Sequence, residues 1–345
     1  MSELKNKYQN KNILVFTNKN SFKLYQDYFE NNFEANLTYF RDFQVNPKLT
    51  DVKNCFESIN PKEFDLIIGV GGGSAMDFAK AISYYCHFDL KNYQEYLEHL
   101  KSPQQFENKK DLILIPTTSG SGSEGNCFSV IYDEFEKYSL ASKAIYPSHV
   151  ILDWKFVEKL PKKITAYTAI DAITHALEAY WAKGATDESR KISLQALELL
   201  VPNIRNVVHS PTQFLREKIM EGAFLAGKAI DIAKTTAPHA FSYYLTTQYN
   251  IPHGQAVAIN LHYFIVLNGK YSDLSAVHKI FGVATDAELK AEWVQLLKDI
   301  ELYLNPIEVV ENKNDFFKAV NTERLGNNPY PLKSSEFESI FSTDK

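Results

Sequence analysis

The chain has 345 residues, of which 45% are hydrophobic and 23% charged, with a formal net charge of −5. This is the composition of a globular protein long enough for two cores, and the acidic balance, with Lys and Arg dispersed, excludes a general nucleic-acid binder. Three cysteines, Cys55, Cys86 and Cys127, form neither a disulfide framework nor a zinc ribbon, and a polar start and the lack of a run of roughly 20 apolar residues lead to the expectation of a cytoplasmic protein without membrane contact.

Asn12–Thr17 is a short apolar run that reads as a first buried strand. Ser21–Phe29 reads as a helix, Asn36–Phe40 as a second strand, and Thr50–Ile59 as a helix stopped before Asn60-Pro61. Phe64–Val70 is a third, Ile-rich strand. Strand and helix alternating in this way predict a parallel sheet covered by helices. Gly71-Gly72-Gly73-Ser74 follows the third strand directly, and a helix runs on to Tyr85. Glycines at such a turn let the backbone approach a phosphate, and the helix start offers free N–H groups. The triple glycine is not the GxGxxG fingerprint and also fits a plain tight turn.

Lys91–Lys110 is polar and reads as a surface helix and loop. Asp111–Pro116 is another buried strand, running into Thr117-TSGSGSE-Glu124. That loop offers hydroxyl and N–H donors to a ribose or phosphate, although Ser/Gly richness also describes a flexible linker. The strand before it favours the ligand reading, because ligands of open α/β sheets sit at strand ends. Beyond Leu160-Pro161 only helical patterns occur, among them Ser193–Val208, Leu215–Ile230, His253–Leu267 and Ala287–Tyr303. The predicted organisation is therefore an α/β domain over residues 1–160 and an all-helical domain over residues 161–345.

The helix in Thr165–Gly184 dominates the second half. On a helical wheel, Ile170, Ile173, Leu177, Tyr180 and Trp181 fill one arc and Ala172, Ala176 and Ala179 much of the other, with Asp171, His175 and Glu178 as a narrow polar stripe between. Alanine where a surface helix would carry Lys and Glu predicts burial on most sides. Asp171 and His175, four residues apart, point the same way. A buried carboxylate and imidazole need a partner that repays their desolvation, and a divalent metal is one; a hydrogen-bonded helix decoration is the commoner meaning of such a pair alone. Downstream, His239 and His253 each follow a proline and so start new segments. Three histidines and one aspartate suit a catalytic Fe(II) or Zn(II) site with room for a substrate oxygen.

Taken together, Gly71-GGSAMDFAK, Pro116-TTSGSGSE, Leu160-PKKITAYTAIDAITHALEAY, Ala237-PHA, Pro252-HGQAVAI and the closing Asn327-NPYPL resemble the iron-containing (group III) alcohol dehydrogenase family, related to glycerol dehydrogenases and dehydroquinate synthases. The resemblance implies that the N-terminal α/β domain is Rossmann-like and dinucleotide-binding, with a helical C-terminal domain and an active site in the cleft between them. It implies metal ligation by Asp171, His175, His239 and His253, and a homodimer. It places cofactor contacts at Gly72, Gly73, Ser74 and Asp77 around the pyrophosphate, at Thr117, Thr118 and Ser121 along the adenosine and nicotinamide side, and at Lys137 near the nicotinamide ribose. Arg41 stands where NAD-using members tend to carry an acid, which favours NADPH over NADH, with Asp42 beside it weakening the distinction. Tyr243 replaces a further histidine of many members.

Lys228, Asp231 and Lys234, just before His239, look like the members that reduce phosphonoacetaldehyde to 2-hydroxyethylphosphonate. Lys228, Lys234, Thr235 and Thr236 are expected to converge near the metal-bound carbonyl, with Lys234 gripping the phosphonate. The alternatives are a general short-chain alcohol dehydrogenase, a dehydroquinate-synthase-like or glycerol-dehydrogenase-like enzyme, and a non-catalytic nucleotide-binding protein. The last would be expected to lack a ligand, and none is missing.

Overall fold

The apolar runs of the N-terminal half become strands buried on both faces. A computed structural model describes residues 2–18, 22–107, 110–134 and 136–342. In chain order the first part comprises α1 (Ser2–Lys7), β1 (Asn12–Phe16), α2 (Phe22–Asn32), β2 (Asn36–Phe40), α3 (Leu49–Ile59), β3 (Leu66–Gly71), α4 (Gly73–Tyr85), α5 (Tyr93–Lys101), β4 (Asp111–Pro116), β5 (Phe128–Asp133), β6 (Glu136–Ala141) and β7 (His149–Val150). Ser21, the expected start of α2, lies outside the described residues.

Five strands form a parallel sheet in the order β2-β1-β3-β4-β7. Ile13 pairs with Leu37 on one side and Leu66 on the other, and Ile67 pairs with Leu112. Alternate residues go to opposite faces: Leu14, Phe16, Ile67, Leu112 and Leu114 join one core, and Ile13, Val15, Leu66, Ile68 and Ile113 the other. Period-two alternation is invisible in the sequence because both faces are covered. The chain leaves β1 for β2 on one side and then crosses to β3 on the other, so the topological switch point lies between the ends of β1 and β3.

β5 and β6 form an antiparallel ribbon that the sequence reading did not foresee. Most of its side chains are at least partly exposed, and its turn residue Glu134 takes φ 51° without the Gly or Asn that usually marks such a turn.

The helical half holds α6 (Lys162–Trp181), α7 (Asp187–Leu200), α8 (Ile204–His209), α9 (Gln213–Ala233), α10 (Ala237–Tyr249), α11 (His253–Gly269), α12 (Ser275–Phe281) and α13 (Asp286–Asp299), followed by short helices. The single helix expected over Ser193–Val208 is broken between α7 and α8 at Pro202, which lacks the N–H and crowds the preceding turn. Contacts divide the chain into two compact units. One runs to Thr118 and resumes over Ser123–Phe156, and the other comprises Ser119–Gly122 and the chain from Val157 onward.

In the second unit α6 is enclosed by α7, α8, α9 and α11. Ile170, Ile173 and Leu177 are fully buried, and so are Ala172, Ala176 and Ala179 on its other side, as the wheel predicted. Small residues let backbones meet. A Cβ on Gly254 would fall 1.9 Å from the Tyr167 carbonyl and 2.8 Å from Asp171 Cβ, so the first turn of α11 is pressed onto α6 beside Asp171. Among the described residues no helix is long and apolar enough to cross a membrane.

Candidate metal centre and cofactor turn

Asp171 and His175 lie one turn apart on α6, and the first turn of α10 brings His239 to them. Pro238 fixes the backbone just ahead of His239, at the helix start where its missing N–H leaves no bond broken. The three side chains are 4–6% exposed. His175 Nε2 and His239 Nε2 are 3.1 Å apart, and Asp171 Oδ1 lies 3.9 Å from the first and 4.0 Å from the second. Tetrahedral ligands held about 2.1 Å from a common centre stand about 3.4 Å apart, so this triangle has the size and the donor chemistry to hold a first-row divalent cation. Burial lowers the His175 pKa to about 4, which keeps the imidazole neutral, the form that binds metal.

His253 opens α11 and is half-buried. Its ring lies edge-on to that of His239 at 5.4 Å between centroids, next to the three-residue cluster, and the Tyr243 ring lies parallel to it at 6.4 Å.

Glu178 supplies what the sequence reading missed. It is fully buried, and His239 Nδ1–H donates to its Oε2. Its Oε1 accepts from the Thr236 N–H at 2.8 Å and the Thr236 hydroxyl at 2.9 Å, while Trp181 Nε1–H donates to that hydroxyl oxygen at 3.0 Å. A carboxylate on Nδ1 sets the tautomer, leaving the Nε2 lone pair aimed at Asp171 and His175. Burial pushes Glu178 up to about 7, against the Thr236 donors. The signal was its place in the Asp171–His175–Glu178 stripe, which places it on the same face but does not say what it binds.

In the first unit, the glycine turn lies at the carboxyl end of β3, beside the switch point. Gly72 precedes the first residue of α4, Gly73, and a Cβ on Gly72 would lie 3.5 Å from Thr118 Oγ1. The Thr117 N–H donates to the Gly71 carbonyl at 2.9 Å, so the ends of β3 and β4 bring Gly72, Gly73, Ser74, Thr117 and Thr118 together. The Ser74 hydroxyl oxygen accepts from the Asn46 N–H at 3.2 Å. Ser121 belongs to the short segment that packs with the second unit. Lys137 is exposed on β6, opposite Tyr132. Arg41 follows β2, exposed, with its guanidinium 4.3 Å from the centre of the Phe22 ring.

Asp77 stays partly exposed, and its carboxylate accepts from Ser123 Oγ at 2.6 Å and the Val130 N–H at 3.1 Å, tying α4 to β5. Lys234 lies just past α9 and its ammonium donates to the Asp231 carbonyl at 3.0 Å, whereas Lys228 lies over the Phe224 ring at 5.8 Å. Helical spacing no longer relates the two once α9 has ended.

α4 also carries a buried cation that the sequence reading did not single out. Lys80 is fully buried, its ammonium donating to the carbonyls of Ser123, Asn126 and Phe128, the latter two at 2.8 Å, and to Ser123 Oγ and Asn126 Oδ1 at 3.0 Å. It anchors the chain just after the Ser/Gly-rich loop.

Comparison with known proteins agrees with these two halves. Residues 1–154 match the model of the iron-containing alcohol dehydrogenases, and residues 165–342 match that of the Fe-containing alcohol dehydrogenase family, C-terminal part. The chain is 31% identical over 316 residues to the NADPH-dependent butanol dehydrogenase of Clostridium saccharobutylicum, covering 86% of this chain and 81% of that one. It is 34% identical over 248 residues to aldehyde-alcohol dehydrogenase 2 of Entamoeba histolytica, 69% of this chain but only 28% of that protein. Among solved structures, the sulfoacetaldehyde reductase of Bifidobacterium kashiwanohense in complex with NAD+ superposes with a TM-score of 0.87 at 28% identity, over 97% of this chain and 92% of that one. By sequence and by fold, therefore, the chain belongs to the iron-containing alcohol dehydrogenases, oxidoreductases acting on CH–OH groups.

Proposed function

We propose that the chain is a metal-dependent, NAD(P)H-linked reductase of a short aldehyde with an anionic head group, converting phosphonoacetaldehyde to 2-hydroxyethylphosphonate. The observation that carries the metal chemistry is the buried triangle of Asp171 Oδ1, His175 Nε2 and His239 Nε2. These residues would hold iron or zinc, with His253 as the fourth donor. Bound there, the metal supplies Lewis acidity to a carbonyl, and the nicotinamide supplies hydride. Glu178 keeps the His239 lone pair aimed at the cluster, Thr236, itself held by Trp181, holds Glu178, and the apolar arcs of α6 keep bulk water away.

In the first unit the turn at Gly72, Gly73 and Ser74 is the seat for the pyrophosphate, facing N–H groups of α4. Thr117, Thr118, Ser121 and Lys137 serve the nucleoside side, and Arg41 serves a 2′-phosphate. The NADPH dependence of the Clostridium relative supports NADPH, and the NAD+ in the Bifidobacterium structure supports NADH.

The anionic substrate is supported by two features. Sulfoacetaldehyde, named for the Bifidobacterium enzyme, is an aldehyde with an anionic head, and Lys234 stands directly after α9, five residues before His239. The Asp231 carbonyl now holds the Lys234 ammonium, which would exchange that bond for a phosphonate oxygen. The second reading, a general short-chain alcohol dehydrogenase, is favoured by the butanol dehydrogenase relative.

Steady-state kinetics with phosphonoacetaldehyde, sulfoacetaldehyde and propanal, each with NADPH and NADH, separates the two. Lys234→Met is expected to raise KM for phosphonoacetaldehyde about ten- to a hundredfold, the worth of a hydrogen bond to a charged group, and to leave propanal nearly unchanged. Equal effects on both aldehydes would leave a general reductase.

A further inference from the structure

The chain that follows the last long helix returns to every element that carries a donor of the candidate centre. At α6, the Lys183 N–H donates to the Asn327 carbonyl at 2.9 Å and the Gly184 N–H to Asn327 Oδ1 at 3.0 Å. At the junction of α9 and α10, Asn327 Nδ2 donates to the carbonyls of Ala233 at 2.8 Å and Thr235 at 3.0 Å. At the end of α11, Asn328 and Asn268, both fully buried, exchange amide hydrogen bonds at 2.8 and 3.1 Å. At α10, the Asn321 N–H donates to the carbonyl of Ala240, the neighbour of His239, at 3.3 Å. Two consecutive asparagines thus tie together the helix of Asp171 and His175, the approach to His239 and the helix of His253.

The residue between the two carbonyls gripped by Asn327 is Lys234, with φ 63° and ψ 175°. That region of backbone space is essentially reserved for glycine, and a side chain persists there only where the surroundings over-determine it. Asn327 supplies that restraint on both sides. Thr236, one residue further on, is the double donor to Glu178, and Glu178 receives the His239 Nδ1–H.

We propose that Asn327 is a positioning residue for the metal centre: it holds the strained Lys234 turn so that Thr236 and His239 meet Glu178 and the donors converge. The proposal rests on the metal reading of the site given above. A plain packing role predicts equal losses whatever residue stands at 234, whereas a restraint on strain predicts that glycine at 234 makes Asn327 dispensable.

The test is a double-mutant cycle of Asn327→Ala and Lys234→Gly on the full chain, reading zinc affinity by competition with a chromophoric chelator and folding by circular dichroism. Asn327→Ala is expected to weaken zinc about tenfold or more, the usual effect of removing a support behind a ligand. In the Lys234→Gly background the same change should weaken zinc by less than about threefold. If Asn327→Ala alone does not fold, the double variant is expected to fold. Wild-type zinc affinity in Asn327→Ala, equal losses in both backgrounds, or failure of both the single and the double variant to fold would each overturn the clamp. A wild-type chain that binds neither zinc nor Fe(II) would overturn the metal reading and the clamp with it.

Discussion

Each unit has a buried polar cluster centred on one helix, and the two are completed differently. On α4, Lys80 and Asp77 close their own circuit: the ammonium sits among five oxygens, and the carboxylate takes a hydroxyl and an amide N–H. The cation there is covalently part of the chain, so the cluster is complete on folding and works as an anchor. On α6, the acids and imidazoles are arranged so that Asp171 Oδ1 and two ring nitrogens face one another within 4.0 Å. Converging lone pairs on three buried groups repel unless a cation sits among them. The same degree of burial therefore marks an anchor in one unit and a candidate ligand site in the other.

The largest effect that would break this comparison is expected from Lys80→Met. The methionine fills similar volume but leaves a ring of buried oxygens without their donor. Removing one partner of such a cluster costs about 3–5 kcal/mol, which for a unit of this size lowers Tm by roughly 6–20 °C. Differential scanning calorimetry reads this directly. Zinc in excess should raise Tm of the wild type by mass action and should not repair Lys80→Met. An unchanged melting temperature would mean that Lys80 is not the anchor its surroundings suggest.

The centre of the second cluster is sharpened by Glu178→Gln. Glutamine keeps the shape and still accepts from Thr236, but it can turn an N–H2 towards His239 Nδ1. The imidazole then favours the tautomer with its proton on Nε2, pointing into the cluster, where it blocks ligation. A loss of about ten- to a hundredfold in zinc affinity is expected, without a comparable loss in folding. Full affinity in the variant would reduce Glu178 to a packing residue.

Legibility in the sequence followed the same division between local and distant causes. Strands β1 to β4, the glycine turn at the switch point and the all-round burial of α6 were readable because each follows from short-range pattern: an apolar run, a turn chemistry, alanine in place of charge. The Pro-His starts of α10 and α11 were readable for the same reason. Lys80 was not, since a lysine in an amphipathic helix looks solvent-bound until the loop that encloses it is known. The bond of Lys234 to the Asp231 carbonyl was hidden because helical spacing does not carry past the end of α9, where its backbone takes φ 63°. Glu178 and Asn327 owe their roles to partners 58 and 94 positions away in the chain, and no local pattern records such pairs. The β5–β6 ribbon escaped because its exposed side chains and its Glu134 turn resemble a loop.

The smallest expected effect concerns Arg41, the residue proposed to meet a 2′-phosphate. Arg41 is exposed at the end of β2, with its guanidinium over Phe22, and Phe22 packs edge-on against Tyr39 at 4.8 Å. The ring limits how the guanidinium moves without neutralising it, which is a fitting support for a group that meets a phosphate. Arg41→Asp should weaken NADPH, because a carboxylate repels a 2′-phosphate, and should favour NADH, because it accepts from a ribose hydroxyl. Exposed charge pairs contribute only about 0.2–1 kcal/mol, so the ratio of the two dissociation constants should move by no more than about fivefold. Losing the cation–π contact adds a stability change of about 0.5–1 kcal/mol. Fluorescence titration of NADPH and NADH on wild type and variant separates the two effects, since lost packing weakens both cofactors alike. A ratio that stays fixed would show Arg41 to be a solvated strand-end residue held by Phe22 alone.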